Sequence, residues 1–205
     1  MTLGKHHRRI ITVNGASLLL FAAIFLSRRN YELIGYIGAL GIFMSLILVS
    51  LRRIRYSANL LWGLTLWSIL HLAGGGLSLG GRKLYAVMIF PVTEEILRYD
   101  QVVHAFGFFV ATLLIYELVK FSYPEVIKHN IAMGIVVVMA GLGLGALNEI
   151  FEFIATILVP DTSVGGYLNT SLDLVADLLG ALLAWLVIVH REKKLPRVSA
   201  VSPPR

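Results

Sequence analysis

Three pairs of ionisable residues stand one helical turn apart, beside or within apolar runs of this sequence. The pairs are Asp100 with His104, Glu149 with Glu152, and Asp173 with Asp177. Spacings of three or four residues place both members of a pair on one face of a helix. Carboxylates and an imidazole without sulfur suit Zn²⁺, Mn²⁺ or Mg²⁺, and the same groups serve as general acid and base. The pattern therefore predicts a metal-binding or acid-base site, provided that the three faces meet.

The composition indicates a membrane protein of one domain. Of the 205 residues, 57% are hydrophobic and 15% are charged, whereas a soluble domain has roughly 25% charged residues. The sequence has no cysteine, which excludes disulfides, thiolate metal sites and cysteine nucleophiles. The net charge of +6 does not predict a nucleic-acid partner, because the basic residues form short clusters beside apolar runs. The HExxH and P-loop motifs are absent, so these signatures name no reaction.

Six apolar runs predict an all-α, polytopic membrane helical bundle of about six transmembrane helices. Each run is near the 20 residues needed to cross a bilayer. The predicted spans are Ile10 to Leu26, Tyr31 to Leu51, Asn59 to Leu77, Gln101 to Lys120, Ile131 to Phe151 and Leu172 to His190. The fifth contains a GxxxG spacing, Gly141 to Gly145, which lets another helix approach closely. We expect residues 1–190 to form a single transmembrane domain and 191–205 a short disordered cytoplasmic tail.

The distribution of basic residues predicts that both termini are cytoplasmic. With six spans, thirteen lysines and arginines fall on the side of the termini and five on the opposite side, which is the positive-inside pattern. The segment Leu84 to Phe90 is too short to cross and is expected to lie in the outer interface or to dip in and return. The predicted location is the cell (cytoplasmic) membrane, with membrane lipids as partners.

The acidic residues are concentrated towards the predicted outer side. Nine of twelve fall there: Glu32, Glu94, Glu95, Asp100, Glu149, Glu152, Asp161, Asp173 and Asp177. Acids barely influence topology, and an ionised side chain that faces lipid near the boundary costs about 1 to 3 kcal/mol. We therefore expect the three paired faces to surround one outward-facing cavity, whose charge a cation or bound protons would neutralise. The alternative is a wetted vestibule whose acids pair with Arg98 and cap helix starts.

The candidate ligands for a divalent metal are the six paired residues together with one further histidine. They are Asp100, His104, Glu149, Glu152, Asp173, Asp177 and His71. His71 stands near the end of the third span and is followed by three glycines, which permit a tight turn or a close approach to a ligand. Asp100, His104 and Glu149 are the candidate catalytic residues.

The stretches RYDQVVHAFGF, GALNEIFEF and NTSLDLVADLLGA resemble the YjdF-like family of small multi-pass inner-membrane proteins, and more distantly the VanZ-like membrane proteins. The resemblance covers roughly Trp67 to Leu186. Its matching positions are His71, Gly75, Tyr85, Tyr99, Asp100, His104, Gly145, Glu149, Glu152, Asp173 and Gly180. Asn148 stands where the family tends to have Tyr, and Asn169 where it tends to have Asp. The resemblance implies a multi-pass fold and a site at these residues, and the family's function is unknown.

Three functions fit these residues. The first is a metal-dependent hydrolase or transferase that acts at the outer leaflet on a lipid-linked or phosphorylated substrate. The second is a small transporter or ion-coupled carrier whose carboxylates relay protons or bind a cation, although the sequence shows no internal repeat of the kind many carriers have. The third is a non-catalytic membrane protein that binds a lipid headgroup or a cation in the same cavity.

Overall fold

The computed structural model of the protein describes residues 5–90, 96–127, 130–158 and 166–193. Its helices are α1 (Lys5–Ser27), α2 (Tyr31–Ser50), α3 (Ala58–Gly76), α4 (Tyr99–Ser122), α5 (Ile131–Leu158) and α6 (Tyr167–Lys193). The remaining regular structure is a hairpin of β1 (Ser78–Leu79) and β2 (Arg82–Lys83), with 3-10 turns at Leu84–Ala86 and Pro124–Val126. The predicted all-α polytopic bundle is confirmed.

The helix limits differ from the predicted spans most at the start of α1, which begins at Lys5 instead of Ile10, and at the ends of α5 and α6. α5 continues to Leu158, whereas the predicted span ended at Phe151, and α6 begins at Tyr167 instead of Leu172. α6 also reaches Lys193, three residues into the predicted tail, and residues 194–205 lie outside the described part of the chain. The residues that extend α6 at both ends are mainly polar, whereas those that extend α5, Glu152 to Leu158, are mainly apolar.

Side chains satisfy the first amide groups of several helices. The Ser57 hydroxyl accepts a hydrogen bond from the Leu60 amide at 3.2 Å, and the Asn30 side chain accepts one from the Leu33 amide at 3.1 Å. At the start of α4, the side-chain oxygen of Gln101 accepts from the Leu97 amide at 2.7 Å. These caps stabilise the helix starts, whose first amides have no partner within the helix.

α3 runs parallel to α1 and traverses the same layer of the bundle. Near the middle of both helices Asn14 donates from Nδ2 to the Thr65 hydroxyl at 2.7 Å, and at their far ends Arg28 donates to the Gly76 carbonyl at 2.7 Å. Among the described residues, α1, α2, α4, α5 and α6 are long and apolar enough to cross a membrane. The 19-residue α3 is not one of these five helices, and its buried face is partly polar. Because α3 lies alongside α1, which is long and apolar enough to cross, α3 extends through the same thickness of the bundle. The structure therefore agrees with the prediction of about six spans.

α4 and α6 also run parallel, and their backbones touch. At one end of the pair Asn169 donates to the Asp100 carboxylate at 3.3 Å, and at the other Lys120 pairs with Glu192 at 2.5 Å. Between these contacts, a Cβ atom at Gly180 would overlap the carbonyl oxygen of Ala105. Small residues permit such close approach between membrane helices. This contact fixes the register in which α6 presents its side chains to α4.

α5 lies antiparallel to α4 and α6 and packs against both. The two glycines of the predicted GxxxG spacing face the neighbouring helices: Gly141 meets Thr112 and Ala181, and Gly145 meets the carboxylate of Asp177. The spacing therefore does bring another helix close, as predicted. The three helices α4, α5 and α6 form one half of the bundle, and all three reach the end at which α4 and α6 begin, called the site end below.

The hairpin and the following 3-10 turn connect α3 to α4 across the site end. The hairpin turns at Gly80 and Gly81, whose φ angles of 59° and 80° are left-handed and suit glycine. Leu84 to Phe90 does not cross: it forms a 3-10 turn and is joined to the start of α4 by a Tyr99 amide to Val87 carbonyl hydrogen bond of 2.8 Å. Ser78 stands in a GxSxG spacing, but in an exposed strand and not at a hydrolase-type strand-to-helix turn.

Candidate metal and acid-base site

His104, in the second turn of α4, is the centre of the ionisable cluster. Its Nδ1 atom lies 3.0 Å from Oδ1 of Asp177 on α6 and 3.8 Å from Oε1 of Glu149 on α5. Its Nε2 atom lies 3.9 Å from Oδ1 of Asp100, one turn earlier on α4. The three predicted helix faces therefore meet, and the imidazole lies between them.

Asp100 lies beside the Nε2 edge of His104, and Asp173 lies close to both residues. Asn169, one turn before Asp173 on α6, donates hydrogen bonds from its side-chain amide to the carboxylates of both aspartates. One ligand atom each from Asp100, His104 and Asp173 lie within 4.8 Å of one another. This spacing allows a single metal ion to contact all three.

Glu149 and Glu152 form a second group around His104. One ligand atom from each glutamate and one from His104 lie within 4.8 Å of one another. Asn148 donates from Nδ2 to Oε1 of Glu152 at 3.0 Å. All six paired residues predicted from the sequence therefore belong to one continuous cluster.

Several carboxylate oxygens in this cluster are buried without a hydrogen-bond partner. Asp173 and Asp177 are both 0% exposed, and Glu149 is 6% exposed. Among the described residues, Oδ1 of Asp173, Oδ2 of Asp177 and both side-chain oxygens of Glu149 accept no hydrogen bond. A buried carboxylate without a partner is energetically costly unless it binds a proton or a cation. The cluster is thus short of positive charge or of hydrogen-bond donors.

The helix dipole does not explain most of these acids. Asp100 lies in the first turn of α4, where a negative charge is favourable, but α6 begins at Tyr167, which places Asp173 and Asp177 beyond its first turn. The dipole effect fades within one turn. α5 continues well past Glu149 to Leu158, so Glu149 also lies outside the last turn and the dipole has little effect on it. The helix-start explanation for the acids therefore accounts only for Asp100.

The contact with Asp177 orients the His104 ring. When Asp177 is ionised it has no hydrogen to donate, so the 3.0 Å contact places a hydrogen on Nδ1 and leaves the lone pair of neutral His104 on Nε2. That lone pair lies on the side of Asp100. An imidazole held through one nitrogen by a carboxylate is the common arrangement of a metal-binding histidine. In this arrangement Asp177 orients the ligand, although the sequence pattern made it a candidate ligand itself.

His71 lies outside both groups of potential ligands. Its Nδ1 atom is 3.0 Å from the Tyr85 hydroxyl, which also donates to the His71 carbonyl at 2.6 Å. The rings of Tyr36 and Trp67 lie 5.6 and 5.7 Å from the imidazole, measured between centroids. His71 is thus enclosed by aromatic rings on the α2 and α3 side of the site.

Tyr85 connects the site-end hairpin to this histidine. Its ring packs against Gly74, where an added Cβ would overlap it. Burial, and then the nearby negative charges of Asp100 and Glu152, raise the pKa of the Tyr85 phenol well above its ordinary value of 10.0. Tyr85 therefore stays protonated and acts as a hydrogen-bond donor beside the acids.

Sequence reasoning missed three of the polar residues around the cluster. Tyr85 appeared only as a position of the family pattern, and Asn148 and Asn169 only as departures from it. The side-chain amide of Asn148 donates to Glu152, and that of Asn169 donates to the two aspartates. The available signal was their spacing, because Asn148 and Asn169 each stand four residues before a candidate acid and so share its helix face.

Comparison with known proteins identifies relatives without an assigned function. An uncharacterised protein from Thermotoga maritima is 32% identical over 103 residues, which are 49% of this chain and 52% of the relative. The chain thus aligns with about half the length of that relative. No solved structure matches the chain. A family described as "Predicted membrane protein (DUF2238)" matches residues 8–194, and the chain belongs to that family.

Proposed function

We propose that this protein binds a divalent metal ion at the site end of the bundle and uses it for hydrolysis or group transfer on a lipid-linked or phosphorylated substrate. Asp100, Nε2 of His104 and Asp173 would hold the metal, which is Zn²⁺, Mn²⁺ or Mg²⁺ by the chemistry of the ligands. The YjdF-like assignment belongs to the same proposal and rests on the spacing of these residues.

The buried carboxylate oxygens without partners carry this proposal. Five acids from three helices surround one imidazole, and Asp173 and Asp177 have no exposed surface. Leaving a buried charge without its partner costs about 3 to 5 kcal/mol. A divalent cation offsets that cost for several carboxylates at once, whereas a single hydrogen bond serves only one oxygen.

The neighbouring groups include a candidate acid-base residue beside a cavity. A cavity of about 450 Å³ lies between α5 and α6, and Glu149 lines it together with Thr170 and Tyr167. Both carboxylate oxygens of Glu149 are buried behind this lining, so Glu149 would act as a base only towards a water molecule or hydroxyl group that passes the cavity wall. When bound, the metal supplies a Lewis acid and lowers the pKa of a coordinated water towards neutrality.

The test is metal binding by purified protein in lipid nanodiscs. We expect about one Mn²⁺ ion per chain in a titration followed by electron paramagnetic resonance, and loss of that signal in Asp173→Asn and His104→Gln. Glu117→Gln is the matched control, because Glu117 is an acid near the other end of α4 and lies outside both ligand groups. Folded wild-type protein that binds neither Mn²⁺ nor Zn²⁺ above trace levels would overturn the proposal.

Activity is tested separately with phosphate esters. Metal-dependent release of phosphate from a lipid phosphate, absent in Glu149→Gln, would support hydrolysis. A stoichiometric metal without turnover would point to the non-catalytic alternative. Glu149-dependent uptake of a solute into vesicles would point to the carrier.

A further inference from the structure

We propose that an apolar groove beside the site holds one hydrocarbon chain of a lipid whose phosphate headgroup lies at the metal. The inference rests on the function proposed above and specifies its substrate as an anionic phospholipid. The groove has a volume of about 210 Å³, with α2 and α5 forming its sides and α3 and α4 its floor. It is lined mainly by apolar side chains, among them Phe43, Trp67, Phe108 and Leu144.

The groove extends from the site towards the middle of the bundle. Along α3 it runs from His71 back to Leu64, seven residues or about 10 Å of helix. Ala111 and Leu144 line it at the same depth on α4 and α5. A chain lying here points inward from the site end, which is the direction of a lipid tail whose head is at the membrane surface.

The polar end of the groove lies next to the carboxylate cluster. Asn148 lines the groove and donates to Glu152, which lies within ligand distance of His104. His71 lines it as well and is joined to Tyr85. None of the residues in the two groups of potential ligands lines the groove itself, so the polar head of a ligand whose chain lies here must pass Asn148 to reach the cluster.

The groove is open to the lipid. Leu147 and Phe151 of α5, on its rim, are 50% and 59% exposed. Bilayer tails are as apolar as these side chains, so the groove alone gives no preference for any lipid over its neighbours.

Selectivity for one lipid must therefore come from its headgroup. Because the cluster itself is acidic, it attracts a phosphate only when a divalent cation is bound. Occupancy by this lipid should therefore depend on the metal.

The experiment uses photocrosslinking in nanodiscs of phosphatidylcholine. A trace of phosphatidic acid with a diazirine in one chain is added, with Mn²⁺ or with a chelator, and cross-linked peptides are identified by mass spectrometry. We expect cross-links to concentrate on the groove segments of α2 and α5 only with Mn²⁺, and to exceed several-fold those from phosphatidylcholine with the same labelled chain.

Two variants in which an alanine is replaced by tryptophan give the matched comparison. Ala39 lines the groove on α2, so Ala39→Trp should fill it and abolish the Mn²⁺-dependent cross-links. Ala140 is exposed on α5 and does not line this groove, so Ala140→Trp should leave them unchanged. The Mn²⁺ content of the same nanodiscs separates the two proposals. Bound metal with cross-links that are equal for both lipids, or unaffected by Ala39→Trp, would overturn the groove inference alone. Absence of bound metal would overturn both.

Discussion

Nδ1 of His104 lies 3.0 Å from Oδ1 of Asp177, and this contact turns the other ring nitrogen towards Asp100. The two residues are 73 positions apart and lie on parallel helices whose backbones touch at Gly180. The orientation of the imidazole thus depends on the packing of α4 against α6. Two of the four predictions below follow from this relationship.

Asp177→Asn should weaken metal binding without abolishing it. The asparagine oxygen can still accept the hydrogen on Nδ1, but the negative charge that makes Nε2 a better ligand is lost. Substitution of such an orienting partner typically costs about 10- to 100-fold in metal affinity. The measurement is the Mn²⁺ dissociation constant of Asp177→Asn beside those of wild type and Asp173→Asn. If Asp177→Asn lost the metal as completely as Asp173→Asn, Asp177 would be a ligand itself.

Gly180→Ala should destabilise the protein and weaken metal binding together. The added Cβ would overlap the Ala105 carbonyl, so α6 must move away from α4, and such overpacking costs about 1 to 3 kcal/mol. Gly143→Ala on α5 is the control, because nothing lies within 4 Å of its added Cβ. Thermal unfolding in detergent and Mn²⁺ binding are both measured. Equal unfolding temperatures for the two variants would show that α4 and α6 are not in direct backbone contact.

Tyr85→Phe should make the free energy of unfolding fall less steeply as the pH rises into the alkaline range of tyrosine ionisation. A phenol with a raised folded-state pKa contributes stability that is complete below its ordinary pKa of 10.0 and is lost as the pH rises above that value. Wild-type stability should therefore fall more steeply above pH 10 than that of the variant. Unfolding free energies of both proteins at a series of pH values test this. Parallel curves would mean that Tyr85 ionises in the folded protein as readily as in the unfolded one.

Single cysteines should report the orientation of the chain. Because the native sequence has no cysteine, each introduced thiol is the only one and wild type is an unlabelled control. Leu79 in the hairpin is 63% exposed, and Leu79→Cys should react with a membrane-impermeant maleimide in intact cells. Arg53, in the exposed turn between α2 and α3, should react as Arg53→Cys only after permeabilisation. The reverse pattern would place the termini outside the cytoplasm.

Much of the architecture could be predicted because membrane helices are defined by length and apolarity. Each predicted span overlaps an observed helix, and the i,i+3 and i,i+4 spacing of the acids was enough to assign them to helix faces. The meeting of these faces followed from the cost of exposing charge to lipid. Helix length, apolarity and residue spacing are local properties of the sequence, and the cost of an exposed charge depends only on the surrounding lipid.

Other features depend on how the helices pack, which spacing does not encode. Which aspartate of α6 contacts Nδ1 of His104 depends on how α6 packs against α4, whose backbone it approaches closely at Gly180. His71 was a further candidate ligand beside His104, and its place against Tyr85, in the 3-10 turn after the hairpin, could not be read from spacing. The roles of Asn148 and Asn169 emerge only when their hydrogen-bond acceptors on the same and neighbouring helices are known.

The parallel packing of α4 and α6 has a consequence for biosynthesis. His104 emerges from the ribosome long before Asp173 and Asp177, which are fully buried in the finished protein. Until α6 docks, neither aspartate has its final surroundings, whereas His104, Glu149 and Glu152 lie on α4 and α5 alone. α6 must therefore be inserted and docked before the group of Asp100, His104 and Asp173 is complete, so a chain truncated before α6 should retain only the group around Glu149 and Glu152.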